Sequence, residues 1–177
     1  ASSAAMRAVV MVPNWMGMDK NNLEQAKLIA ARGYVVLLAD VYGSKVRPKD
    51  AAEAGAAAGK LKADRTQLRA RVAQALNLLQ SEAKSKGITL KGTGAIGFCF
   101  GGTSVLELAR SGAELAGTVS FHGGLDTPTP NDAKNIQGKV LALHGADDPY
   151  VPREQVLAFE DEMRAGNVDW QLLSFGG

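Results

Sequence analysis

Short runs that are apolar on both faces, alternating with helix-length amphipathic stretches, limit this chain to a small set of folds. Arg7 to Val12, Tyr34 to Val41, Thr93 to Phe98, Thr118 to Phe121, Lys139 to Leu143 and Trp170 to Phe175 read as strands. A strand without a polar face needs cover on both sides, and a mainly parallel sheet with helices on each face supplies it. Between the strands, Asn22 to Arg32 carries apolar residues at Leu23, Ala26, Leu28, Ile29 and Ala30 and stops at Gly33. Leu61 to Lys86 reads as one long helix, with Leu61, Leu68, Val72, Leu76 and Leu79 on one face and Gly87 closing it. Gly101 to Ser111 and Pro152 to Ala165 complete the predicted helices. Tyr42 to Gly59, rich in Ala, Gly and Lys, reads as a loop with a short helix. The predicted class is α/β, a doubly wound sheet without internal repeats.

The length, 177 residues, suits one domain with a sizeable core. A net charge of +2 with both signs interspersed gives no case for nucleic acid or an anionic membrane surface as partner. No apolar run approaches the roughly 20 residues of a membrane-spanning helix, and a cytoplasmic location is expected. A single cysteine excludes an internal disulfide framework and a multi-thiolate metal site. Neither metal nor cofactor is expected, and the oligomeric state is not encoded in any readable pattern. The ends read as truncated: Ala1 to Ala5 is linker-like, and Gly176-Gly177 follows directly on a strand.

That cysteine stands in Gly97-Phe98-Cys99-Phe100-Gly101-Gly102, where a buried strand hands over to a helix. This is the context of a nucleophile elbow, with cysteine in the place of the more familiar serine. Glycines without a Cβ let strand and helix approach closely around a strained turn. The first N–H groups of the helix carry partial positive charge that stabilises an anion beside them. A lone cysteine is otherwise an ordinary core residue. A redox role lacks the second cysteine of a C-x-x-C pair.

Two further elements carry chemistry. His144-Gly-Ala-Asp147-Asp148-Pro149-Tyr150-Val151-Pro152 follows an apolar strand, so one of two acids stands on the rim where open α/β sheets bind ligands. The plainer alternative is a turn and helix cap before Pro152. Nucleophile then acid is also the chain order of hydrolases on this sheet. After the first strand, Pro13-Asn14-Trp15-Met16-Gly17 is placed to give the Trp15 N–H to an oxyanion hole, with the Phe100 N–H as second donor. Gly92-Thr-Gly94-Ala-Ile-Gly97 matches a dinucleotide fingerprint by letter only. Its glycines enter a strand instead of opening a helix, so no pyrophosphate site forms.

Val-Pro-Asn-Trp-Met-Gly at 12–17, Ala-Asp-Val-Tyr-Gly at 39–43, the Cys99 elbow, Ser-Phe-His-Gly at 120–123 and the 144–152 segment together resemble the dienelactone hydrolase family of α/β hydrolases. The resemblance covers essentially the whole chain. It implies Cys99 as nucleophile, Asp148 in preference to Asp147 as triad acid, and a small ester, lactone or thioester as substrate. Asn14 stands where members often carry a glutamate, and His122 ends a strand where it can line the pocket. The family's catalytic histidine follows the last major strand in a Gly-Gly-x-x-His loop, whereas this sequence reads Ser-Phe-Gly-Gly at its end. The histidine is therefore expected beyond Gly177, the family's N-terminal strands before Ala1, and the chain as given is expected to be inactive or impaired. The alternative is a non-catalytic scaffold that binds a small molecule. His122 and His144 match family positions that are not the base. Lys45 and Arg47 are candidates to meet a substrate carboxylate, or else solvated surface.

Overall fold

The computed structural model describes residues 5–176. Six strands, β1 (Met6–Val12), β2 (Tyr34–Leu38), β3 (Leu90–Phe98), β4 (Gly117–Phe121), β5 (Lys139–Gly145) and β6 (Trp170–Phe175), form one sheet. Their order is β2-β1-β3-β4-β5-β6, and every neighbouring pair is parallel. Five helices connect them: α1 (Lys20–Ala30), α2 (Ala51–Ala63), α3 (Arg65–Ser85), α4 (Phe100–Arg110) and α5 (Arg153–Ala165). A short 3-10 helix, Pro130–Asn135, lies between β4 and β5. The architecture is the α/β-hydrolase type expected from the apolar strand pattern.

The topology decides which helix covers which face. Parallel crossovers are right-handed, so connections running in opposite directions across a sheet put their helices on opposite faces. Only β1-α1-β2 runs toward the β2 edge; the later crossovers run toward β6. Accordingly α2, α3 and α4 share one packed layer with Ala8, Val10, Val12 and Ala95. α4 and α5 continue that layer over Val140 and Ala142. Leu68 and Val72 of α3 are fully buried there, each contributing about 1.5–3 kcal/mol by leaving water.

The opposite face has α1. Its inward residues are Asn22 and Ala26, while Leu23 and Leu28, expected on the apolar face, are exposed. Toward the β6 edge Leu173 and Phe175 are also exposed.

Three of the departures from the expected boundaries turn on an aspartate. The long helix predicted from Leu61 to Lys86 breaks at Asp64 (φ −119°, ψ 80°), whose carboxylate accepts from the Gln67 N–H and caps α3. The apolar spacing continues across this joint, so periodicity alone does not reveal it. Asp50 likewise caps α2 by accepting from Glu53 N–H, turning much of the predicted loop into helix. β2 ends at Leu38 instead of Val41 because Asp40 Oδ1 accepts from the N–H groups of Tyr42 and Gly43 and closes a turn.

Every residue of α4 is buried, Glu107 and Arg110 included. Arg110 forms a two-pronged pair with Glu162 of α5, 2.7 Å on each prong, and also donates to Glu107 and the Leu125 carbonyl. Arg69 of α3 donates to Glu107 at 2.8 Å and to Asp132 at 2.6 Å. Burial of these charges is tolerable because each prong is matched. Arg69 thus ties α3 to α4 and to the short 3-10 helix.

Candidate active site

Cys99 sits between the end of β3 and the start of α4 with φ 54° and ψ −120°. A non-glycine residue held there costs on the order of 1–3 kcal/mol, so its surroundings must enforce it. The Cys99 N–H donates to the Phe121 carbonyl at 2.9 Å, and its carbonyl accepts from the Gly102 N–H at 2.9 Å. The neighbouring glycines are required by contact. A Cβ on Gly97 would run into the Gly101 carbonyl, and one on Gly101 into the carbonyls of Val12 and Pro13. Cys99 as a residue is only half-buried.

β1 and β3 are adjacent, with Val12 opposite Gly97, so the loop after β1 comes down beside the elbow. Asn14 Oδ1 accepts from the Met16 N–H at 2.9 Å, and the Trp15 carbonyl accepts from the Tyr42 hydroxyl at 2.8 Å. These bonds hold the Trp15–Met16 peptide group by its N–H and by its carbonyl. The Phe100 N–H, at the first position of α4, has no partner within the helix.

The turn after β5 places Asp148 half-buried and Asp147 exposed. Asp148 Oδ1 accepts from the Tyr150 N–H at 2.9 Å. The N-cap of α5 is Pro152, so neither acid caps that helix, and the helix-cap alternative fails while the turn remains. The sheet ladder carries on one residue past the strand ends here. The His122 N–H donates to the Leu143 carbonyl at 2.8 Å, and the Ala146 N–H to the Phe175 carbonyl at 2.8 Å. His122 is exposed, with φ 41°, and shares a cleft with Asn14 and Phe98. His144 is buried; its Nδ1 lacks the partner expected of it, with none among the described residues.

The sequence matches the dienelactone hydrolase family over residues 1–177. The chain belongs to the dienelactone hydrolase family. Its backbone superposes on the solved structure of m3DLH with a TM-score of 0.90 and 39% identity, covering 97% of this chain and 70% of that one. A dienelactone hydrolase-like promiscuous phosphotriesterase from metagenomic libraries gives a TM-score of 0.87 at 39% identity, over 99% of this chain and 72% of that one. Among curated proteins, a carboxymethylenebutenolidase homolog of Xenopus tropicalis is 26% identical over 98% of this chain and 69% of its own length. Family and fold are those of esterase- and lactonase-type hydrolases. Among the described residues no helix is long and apolar enough to cross a membrane.

Sequence reasoning about this dienelactone hydrolase family member missed Tyr42 as a site residue. The phenol stacks on Phe100 at 5.5 Å and bonds the Trp15 loop, so it bridges both sides of the elbow. Burial, and then the Cys99 charge nearby, push its pKa well above the ordinary phenol value, keeping it a donor. Arg71 of α3 grips this segment through the Val41 and Tyr42 carbonyls at 2.7 and 2.8 Å. The Val-Tyr-Gly match was the available signal. Arg47 is committed elsewhere, to Asp40 at 2.7 Å and the Gly43 carbonyl at 2.8 Å, and Lys45 is exposed.

Proposed function

We propose that this chain carries the nucleophile, the oxyanion donors and the triad acid of a cysteine-dependent ester or lactone hydrolase. The observation behind this reading is the left-handed backbone of Cys99, itself only half-buried, at a strand–helix junction. The Cys99 thiolate attacks the substrate carbonyl carbon, and its oxygen takes up negative charge between the Trp15 and Phe100 N–H groups. Preorganised donors of this kind contribute on the order of 3 kcal/mol to lowering the barrier. The C–O bond to the leaving group then breaks, and an imidazolium gives the departing oxygen its proton. The same imidazole takes a proton from water, which attacks the thioester and returns Cys99 to thiolate. Asp148 orients that imidazole. That histidine is the one the family resemblance implies; His144 is buried, and His122 is the pocket-lining candidate.

The substrate class is a small carboxylic ester, lactone or thioester. The 39% identity to a promiscuous phosphotriesterase makes phosphotriesters a second substrate to assay. The test is mass spectrometry after incubation with p-nitrophenyl acetate. One acetyl group on Cys99, absent from Cys99→Ala, is expected; acetylation elsewhere, or its persistence in the variant, would overturn the assignment.

A further inference from the structure

Of the three arginines on α3, one is partnered unlike the others. Arg65 ends on Asp126, and Arg69 on Glu107 and Asp132. Arg71 is half-buried and has no carboxylate partner among the described residues. Its Nη1 donates to the Val41 carbonyl at 2.7 Å and to the Tyr42 carbonyl at 2.8 Å. Such a contact balances no charge. What it does is hold a stretch of main chain to a helix.

The stretch held is the one that carries Tyr42. The Tyr42 N–H donates to Asp40 Oδ1 at 3.2 Å, but Asp40 belongs to the same turn. Arg71 comes instead from a helix whose Leu68 and Val72 are fully buried. From Tyr42, two contacts reach the loop after β1. The hydroxyl donates to the Trp15 carbonyl at 2.8 Å. The ring stands so close to Gly17 that a Cβ there would lie 3.1 Å from it. Gly17 closes that loop's turn, its N–H donating to the Asn14 carbonyl at 3.0 Å. The Asn14 carbonyl and the Trp15 N–H belong to one planar peptide group, so holding the first aims the second.

We propose that Arg71 is a positioning residue for acyl transfer at Cys99. Its guanidinium fixes Tyr42, and Tyr42 fixes the turn that presents the Trp15 N–H to the developing oxyanion. A donor contributes to the barrier only when it is aimed where the charge appears, so a loosened turn costs rate. The inference rests on the hydrolase reading, with Trp15 as one of its two donors.

Two reactions of the same sulfur test it. p-Nitrophenyl acetate acetylates the thiolate through an oxyanion, and p-nitrophenolate leaves. Iodoacetamide alkylates it by displacement of iodide, with no oxyanion to stabilise. Cys99 is the one cysteine of the chain, and mass spectrometry follows both products at a fixed pH. Arg71→Met should slow acetylation about tenfold and leave alkylation unchanged. Equal slowing of both reactions would mean general damage to the elbow, and undiminished acetylation would mean that the donor does not depend on Arg71. Either result overturns the inference. Added to Tyr42→Phe, Arg71→Met should cost no more than about a further threefold, because both act on one turn. A full second tenfold loss would show independent routes and overturn it as well. Circular dichroism checks each variant for the native fold. Should Arg71→Met not fold, Arg71→Lys, whose ammonium ends short of the guanidinium's reach, carries the same comparison with a smaller loss confined to acetylation. Acetylation of the parent away from Cys99 would remove the hydrolase reading and this inference together. Acetylation at Cys99 that is equally fast in the Arg71 variants removes the inference alone.

Discussion

On one side of the sheet, α2 to α5 bury Val10, Ala95, Val140 and Ala142 under a continuous layer crossed by matched charges. On the other side there is α1, with an asparagine turned inward and leucines outward, and Leu173 and Phe175 lie exposed toward the far edge. Both sides meet at Cys99, whose helix belongs to the first and whose neighbouring cleft belongs to the second. The contrast teaches that, among the described residues, the elbow's bracing comes from the layer that holds α4. Rigidity comes from the four-helix layer.

The hardest test of that asymmetry is Arg110→Ala. It strands Glu162 without its cation in a fully buried layer and leaves Glu107 with Arg69 alone. A loss of about 3–5 kcal/mol in urea unfolding is expected. A loss under about 1 kcal/mol would mean that the charge ladder does not brace α4.

Tyr42→Phe probes the junction between the sides. Losing the hydroxyl that holds the Trp15 carbonyl costs about 1 kcal/mol. Acetylation of Cys99 should slow about tenfold, the equivalent of about 1.4 kcal/mol. The pH dependence has a definite sign. Burial raises the folded-state pKa of this phenol above its unfolded value of 10.0, so the folded protein binds the proton more tightly. The linked stability is complete below pH 10.0 and is lost as pH rises toward the folded-state pKa. Unfolding measured from neutral to alkaline pH should fall less steeply in Tyr42→Phe than in the parent; identical slopes would show that Tyr42 does not carry the effect.

Leu173→Thr, on the exposed edge, is the small effect that completes the series. It should change stability by no more than about 0.5 kcal/mol. A cost near that of Arg110→Ala would show that the two sides are equally loaded.

The sheet was legible because its strands are short and apolar throughout, and no competing fold hides such runs. The elbow was legible for a related reason: glycine at 97 and 101 is demanded by backbone contacts, so the sequence records the contact itself. The helix break at Asp64 left no trace in periodicity because the apolar spacing runs on through it. The roles of Arg69, Arg71 and Arg110 were not legible, since a sequence does not show which carboxylate or carbonyl will face a guanidinium. Asn22 was hidden within a pattern whose leucines suggested the opposite orientation. Tyr42 was visible only as part of a matched motif; its reach to Trp15 depends on a turn made by Asp40.

The run of hydrogen bonds from Cys99 to Phe121, His122 to Leu143 and Ala146 to Phe175 has a mechanical meaning. The thiol and the Asp148 turn hang from successive rungs of one railing, not from independent loops. When thermal motion twists the sheet, they travel in step. Reshaping the loops above can therefore alter which molecule enters while the spacing between sulfur and carboxylate stays put.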